Sequence, residues 1–142
     1  MAGDWSTATE VLAVRLDTLG DVLMTGPALR ALRDSGAGPR ITLLTSGAGA
    51  EVGELMPEVD EVLVYEAPWM KRHAGESGAA PDRAMVGALR RRRFDAAAIF
   101  TVYSQSPLPA ALMCHLAEVP RLLPNHFTAT GGLDPYLLPQ LR

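Results

Sequence analysis

Two acids, Asp17 and Asp21, stand four positions apart in the stretch Arg15-Leu16-Asp17-Thr18-Leu19-Gly20-Asp21. The stretch follows the first run of strand-type residues and precedes the first helical pattern, so it reads as a strand-to-helix turn. In an open parallel sheet such a turn lies at the carboxyl edge, where ligands collect. A carboxylate placed there can take the proton of an attacking hydroxyl within hydrogen-bond reach. On composition alone the more ordinary roles for the same two acids are a solvated turn residue and a helix-start acid stabilised by the helix dipole. Residue type and spacing leave both readings open.

Other chemistries find less support. Ser46-Gly47-Ala48-Gly49 opens a helical pattern, and backbone donors at such a point can hold an anion. The segment is neither Gly-x-Gly-x-x-Gly nor a lysine-bearing phosphate loop, so a plain tight turn explains it. His73, His115 and His126 are far apart and unpaired with carboxylates at ligand spacing, and no Asp-x-Asp triplet occurs. No metal or other cofactor is therefore expected. His115 reads as an ordinary surface or core residue of a helix. Cys114, the one cysteine, excludes an intrachain disulfide. It lies beside Met113 in an apolar helical pattern, where an inert buried thiol is the default. There is no Gly-x-Ser-x-Gly elbow.

The elements that must position Asp17 and Asp21 follow from periodicity. Val11 to Leu16 is almost continuously apolar, as in a strand buried on both faces. Arg15 interrupts it near the end and is expected to pair with a neighbour such as Asp17. A short turn from Asp21 leads to a helix with Pro27 at its first position, stopped near Gly36. Ile41–Thr45 is the second strand, followed by the small-residue loop 46–50 and a helix over Glu51–Met56. Glu61–Tyr65 is the third strand. Regularity then fails from Glu66 to Asp82, the pattern of a long functional surface loop. Arg83–Arg93 is a helix ending in four arginines, Phe94–Val102 the fourth strand, and Ser106 the cap of a helix from Pro107 to about Ala117. Arg121-Leu122-Leu123 is a candidate fifth strand.

Alternating strands and helices predict one α/β domain: a Rossmann-like parallel sheet with helices on both faces. Its expected bounds are a flexible amino terminus over 1–10, the domain over 11–124 and an irregular tail over 125–142. Right-handed crossovers gather the loops 17–21, 46–49, 68–73 and 103–106 at one edge. The formal net charge of −3 gives no general attraction to nucleic acid. With no signal-type amino terminus and no apolar run of membrane-spanning length, a soluble cytoplasmic protein is expected.

The segment from Arg15 to Leu29, with Gly20-Asp21 followed by Pro27-Ala28-Leu29, resembles the opening of the ADP-heptose:lipopolysaccharide heptosyltransferase family, glycosyltransferase family nine. Ile41-Thr42-Leu43-Leu44, Pro57-Glu58-Val59-Asp60-Glu61-Val62 and Phe94-Asp95-Ala96-Ala97 extend the resemblance over most of Val11 to Pro124. It implies the amino-terminal, acceptor-side half of a GT-B architecture, in which two Rossmann-like domains face each other across a cleft. It implies further that Asp21 is the general base of an inverting, metal-independent transfer from a nucleotide sugar such as ADP-heptose to a glycan or lipopolysaccharide-type acceptor. Asp17, Thr18, Gly20, Ser104 and Gln105 are the candidate substrate contacts, with Lys71 and Arg72 placed to meet an anionic acceptor or simply solvated. The family's second, donor-binding domain has no counterpart in 142 residues, so a truncated or split gene and an inactive isolated chain are expected. A separate donor-domain chain and peripheral contact with the inner membrane face are the partners this leaves room for. The rival from another class is a non-catalytic module binding a sugar or a phosphate; a dinucleotide-binding Rossmann domain is disfavoured by the missing glycine fingerprint.

Overall fold

The computed structural model describes residues 5–35, 38–70, 78–102 and 104–127. Five strands form one wholly parallel sheet: β1 (Glu10–Arg15), β2 (Arg40–Thr45), β3 (Glu61–Val64), β4 (Ala96–Val102) and β5 (Leu122–Phe127), in the order β3-β2-β1-β4-β5. The central strands β1, β2 and β4 are the near-continuous apolar runs of the sequence, because both of their faces are covered. The order reverses beside β1, where the chain leaves β3 at one rim and re-enters as β4. The crevice between β1 and β4 is thus the topological switch point of the sheet.

Alternate residues of the strands feed two cores. On one face Ala13, Ile41, Leu43, Ala98 and Phe100 pack with Val22 and Leu29, which belong to the helices α1 (Leu19–Met24) and α2 (Gly26–Arg33). On the other, Leu12, Val14, Leu44, Ala97 and Ile99 meet Leu89, Met113 and Cys114, from α4 (Ala80–Arg92) and α5 (Leu108–Leu116). Helix α3 (Gly47–Gly53) completes the first face.

Several boundaries differ from the sequence expectation, each for a local reason. The turn after Asp21 is itself a helix, α1, and Pro27 is the second rather than the first residue of α2. Pro27 has no amide to continue α1, so the chain breaks at Thr25. The buried Thr25 hydroxyl donates to the Asp21 carbonyl at 2.9 Å. The glycine-rich segment expected as a loop over 46–50 is the first half of α3. A Cβ on Gly49 would run into Thr45 Oγ1 and Val22 Cγ2, and one on Gly53 would meet Leu43 Cδ2 at 2.8 Å. Close packing against α1 and the sheet needs these glycines, and it overrides their poor helix propensity. Helix α4 starts three residues before Arg83, with Pro81 in its first turn. Helix α5 begins at Leu108, whose amide donates to Ser106 Oγ at 3.2 Å. Strand β5 starts at Leu122 and runs to Phe127, pairing with β4 through a segment expected to belong to the tail. Gly36 lies outside the described residues. Among those described, no helix is long and apolar enough to cross a membrane.

Candidate functional site

Arg15 is the last residue of β1, and its side chain is only 4% exposed. A buried guanidinium needs anionic partners. Its Nε lies 3.0 Å from Asp17 Oδ2 and its Nη2 3.3 Å from Asp21 Oδ1. The expected Arg15–Asp17 pair is present, and Asp21 joins it. The Nε–Oδ2 contact is ionic without being aligned as a hydrogen bond.

Thr18 caps α1 in a capping box. The Asp21 amide donates to Thr18 Oγ1 at 3.4 Å, while the Thr18 hydroxyl and amide donate to Asp21 Oδ2 at 2.8 and 3.3 Å. Each Asp21 oxygen therefore has one fixed neighbour, Thr18 or Arg15. The side chain still keeps 36% of its surface. It is oriented without being enclosed, the condition a proton acceptor requires.

Asp17 is different. Its side chain is 6% exposed, and burial pushes its carboxyl above the ordinary carboxylate range. Arg15 and a hydrogen bond from the Gln105 side chain pull the other way, and the nearby Asp21 adds to the rise. Gln105 thus ties the loop after β4 to the loop after β1 across the switch point. Ser46 ties in the loop after β2: its hydroxyl donates to the Asp17 carbonyl at 2.8 Å and accepts from the Gly49 amide at 3.1 Å. Glu66, just past β3, accepts the Gly47 amide on Oε1 at 2.6 Å.

These four loops surround a cavity of about 680 Å³, within the range of small-molecule sites. Its polar lining residues include Asp17, Thr18, Asp21, Ser46, Glu66 and the segment Ser104–Ser106. Its apolar lining residues include Leu16, Ala67, Trp69, Met70, Phe100 and Pro109. Trp69 packs against Tyr65 in an edge-on arrangement, centroids 5.9 Å apart and planes at 62°. The Tyr65 hydroxyl donates to Asp82 Oδ1 at 2.5 Å, which anchors the segment after β3 to α4. Burial and the Asp82 carboxylate together raise the Tyr65 phenol well above its ordinary range.

Of the candidate residues, Asp17, Thr18, Asp21, Ser104 and Gln105 come together around this cavity. Gly20 sits beside them in α1, exposed, with only Thr18 Oγ1 within 4 Å of the position its Cβ would take. Lys71, Arg72 and His73 lie outside the described residues. Sequence reasoning placed the loops of Ser46 and Trp69 at this edge without giving either residue a role, and it missed Glu66 and the second partner of Arg15. Glu66 had a usable signal, as the second residue beyond a strand that ends at the ligand edge. Among the described residues no three of His, Cys, Asp and Glu gather as a metal-binding group. His115 is exposed, and burial raises the Cys114 thiol to about 12.

No family model matches the sequence, and no curated protein does. Solved structures do. The structure of ADP-heptose lipopolysaccharide heptosyltransferase II from E. coli superposes with a TM-score of 0.63 at 20% identity, over 82% of this chain and 30% of that one. A family 9 glycosyl transferase from Veillonella parvula gives 0.63 at 18%, over 86% and 32%. An E. coli heptosyltransferase bound to ADP-2-deoxy-2-fluoro heptose gives 0.51 at 24%, over 83% and 35%. The chain has the Rossmann-like α/β fold found in these glycosyltransferases. It spans about a third of the length of the structures it matches.

Proposed function

We propose that this chain is the acceptor-side domain of a GT-B glycosyltransferase of the family nine, heptosyltransferase-like type, with Asp21 as its general base. The observation that carries the reading is the setting of Asp21: held by Thr18 and Arg15, part-exposed, and facing an amphipathic cavity at the switch point. In the reaction the acceptor hydroxyl attacks the anomeric carbon of the donor sugar. Its proton passes to an Asp21 oxygen, while the bond from that carbon to the nucleotide diphosphate breaks on the opposite side, inverting the centre. The step uses no metal.

Charge on the leaving diphosphate has to be met from elsewhere. At α1 the capping carboxylate of Asp21 already occupies the first turn, at α3 the Gly47 amide is given to Glu66, and at α5 the Leu108 amide is given to Ser106. The starts of α1, α3 and α5, which would otherwise hold phosphate, are thus filled from within the chain. This favours a donor bound by a second domain, in the same polypeptide or another, and weighs against the rival reading as a phosphate-binding or dinucleotide-binding module. Soluble cytoplasmic residence, with peripheral contact at the inner membrane face, belongs to the same proposal. The test is to fuse a heptosyltransferase donor domain after Arg142 and assay transfer from ADP-heptose to glycan acceptors. Transfer that requires both halves supports the reading. Transfer by the 142-residue chain alone would refute the division of labour.

A further inference from the structure

We propose that Arg15 is a counter-charge shared by two acids, and that it turns fully onto Asp17 when Asp21 takes up a proton. Asp17 is then a positioning residue that acts through Arg15, rather than a contact for the acceptor. The proposal rests on the reading of Asp21 as general base and deepens it. The first observation is a mismatch. Arg15 Nε and Asp17 Oδ2 lie 3.0 Å apart, yet both are buried and neither has a hydrogen-bond partner. Buried polar atoms are normally paired, so two unmatched ones this close call for a physical reason. The second contact of Arg15 supplies it. Its Nη2 lies 3.3 Å from Asp21 Oδ1, so one buried guanidinium is stretched between two carboxylates.

Charge decides what this arrangement does. With both acids ionised, the three groups together carry one negative charge. A proton arriving on Asp21 cancels it and releases Nη2. Arg15 is then free to bring its Nε–H into line with Asp17 Oδ2, which satisfies both unmatched atoms. Were residue 17 uncharged, the same proton would leave a buried guanidinium with no anion beside it, a strongly unfavourable state. Asp17 therefore favours a proton on Asp21. Coupling between two sites is reciprocal, so charge on Asp21 must also favour a proton on Asp17. That counterpart is present: burial raises the Asp17 carboxyl most, Arg15 and Gln105 oppose the rise, and Asp21 adds to it. Arg15 comes from β1, Asp21 from α1 and Gln105 from the loop after β4. Glu66 is the remaining charged residue of the described cavity lining, and its Oε1 accepts the Gly47 amide.

Side-chain carboxyl carbon signals and the Arg15 Nε–H signal would be followed by NMR across pH in the 142-residue chain and in its Asp21→Asn and Asp21→Glu variants. In Asp21→Asn, the Asp17 midpoint should fall by about one pH unit, the lower end of what a nearby charge does. The Arg15 Nε–H should move downfield and exchange more slowly with water as it closes onto Asp17. Asp21→Glu keeps the charge and should stay close to the parent in both readouts. An unchanged or higher Asp17 midpoint in Asp21→Asn overturns the sharing. A lower midpoint with an unmoved Arg15 signal also overturns it, by reducing the coupling to repulsion between two acids. A fall of the same size in both variants overturns it too, because the cause would then be the shape of the turn. These readouts do not involve transfer, so the role of Asp21 as base is judged separately, by the transfer rate of its Asn variant in the fusion.

Discussion

The two edges of the sheet treat carboxylates in opposite ways. At the amino edge, Asp95 Oδ2 accepts the Thr9 amide at 2.9 Å, the Thr9 hydroxyl at 3.0 Å and the Glu10 amide at 2.9 Å, pinning β1 to β4. Asp60 Oδ2 accepts the Ile41 amide at 2.8 Å and Arg33 Nη1 at 2.9 Å, and Glu58 Oε1 accepts both Nε and Nη2 of Arg30. The Glu10 and Thr9 amides hold the Asp95 carboxyl below its ordinary range. Glu58 is lowered chiefly by its hydrogen bond from Arg30. For Asp60, burial pushes upward, but the Ile41 amide and Arg33 outweigh it. At the carboxyl edge, Asp17 is raised by burial and Asp21 keeps open surface. Acids that accept from strand amides and arginines at the amino edge stabilise the fold. Acids raised by burial or left open to a cavity at the ligand edge are the ones available for chemistry.

Backbone proximity adds rigidity at the carboxyl edge. Gly49 packs where a Cβ would strike Thr45 and Val22. Gly49→Ala should therefore destabilise the fold by about 3 kcal/mol in chemical denaturation, the upper part of the usual range for overpacking. At the amino edge, Asp95→Ala should cost about 2 kcal/mol, since two backbone amides lose a charged acceptor. Asp17→Asn, by contrast, should change stability by less than about 1 kcal/mol at neutral pH, because losing a poorly solvated charge offsets the weakened Arg15 contact. Gly20→Ala should stay within about 0.5 kcal/mol, as its Cβ would meet nothing nearer than Thr18 Oγ1 at 3.9 Å, an ordinary contact. If Asp17→Asn proved as costly as Asp95→Ala, the contrast between the edges would collapse.

The pH dependence should separate the edges as well. Asp95 has a lowered native pKa, so its contribution is present above the unfolded value of about 3.9 and is lost as pH falls through the native one. The stability gap between the parent and Asp95→Asn should shrink on acidification. Asp17 has a raised native pKa, so the folded state holds its proton more tightly and the parent loses stability as pH rises through the window above about 3.9. Relative to the parent, Asp17→Asn should gain with rising pH across that window. Urea denaturation at stepped pH measures both, and gaps moving in the same direction would contradict the assignment.

The fold was legible in the sequence where burial is two-sided, as in β1, β2 and β4, whose apolar runs admit few readings. It was less legible where tertiary packing overrides local preference. The residues Gly47 to Ala50 read as a loop until the sheet beneath demands glycine, and Asn125 to Phe127 read as tail because their strand character comes from pairing with β4. The site divides in the same way. Asp17, Asp21 and Thr18 could be placed because a strand-to-helix turn has a fixed address. The role of Arg15 could not, since one residue in an apolar run does not reveal that it reaches two acids. Trp69 was hidden by the irregular loop, whose contact with Tyr65 exists only in three dimensions.

The central claim is that Asp21 takes the acceptor's proton. In the fusion with a donor domain, the Asp21→Asn variant should keep saccharide binding within about twofold, since Asn preserves shape and still accepts from Thr18. Its rate of transfer from ADP-heptose should fall by about 100- to 10,000-fold, the usual contribution of a positioned base. Transfer within a few-fold of the parent rate would contradict the account and return Asp21 to the role of a helix cap.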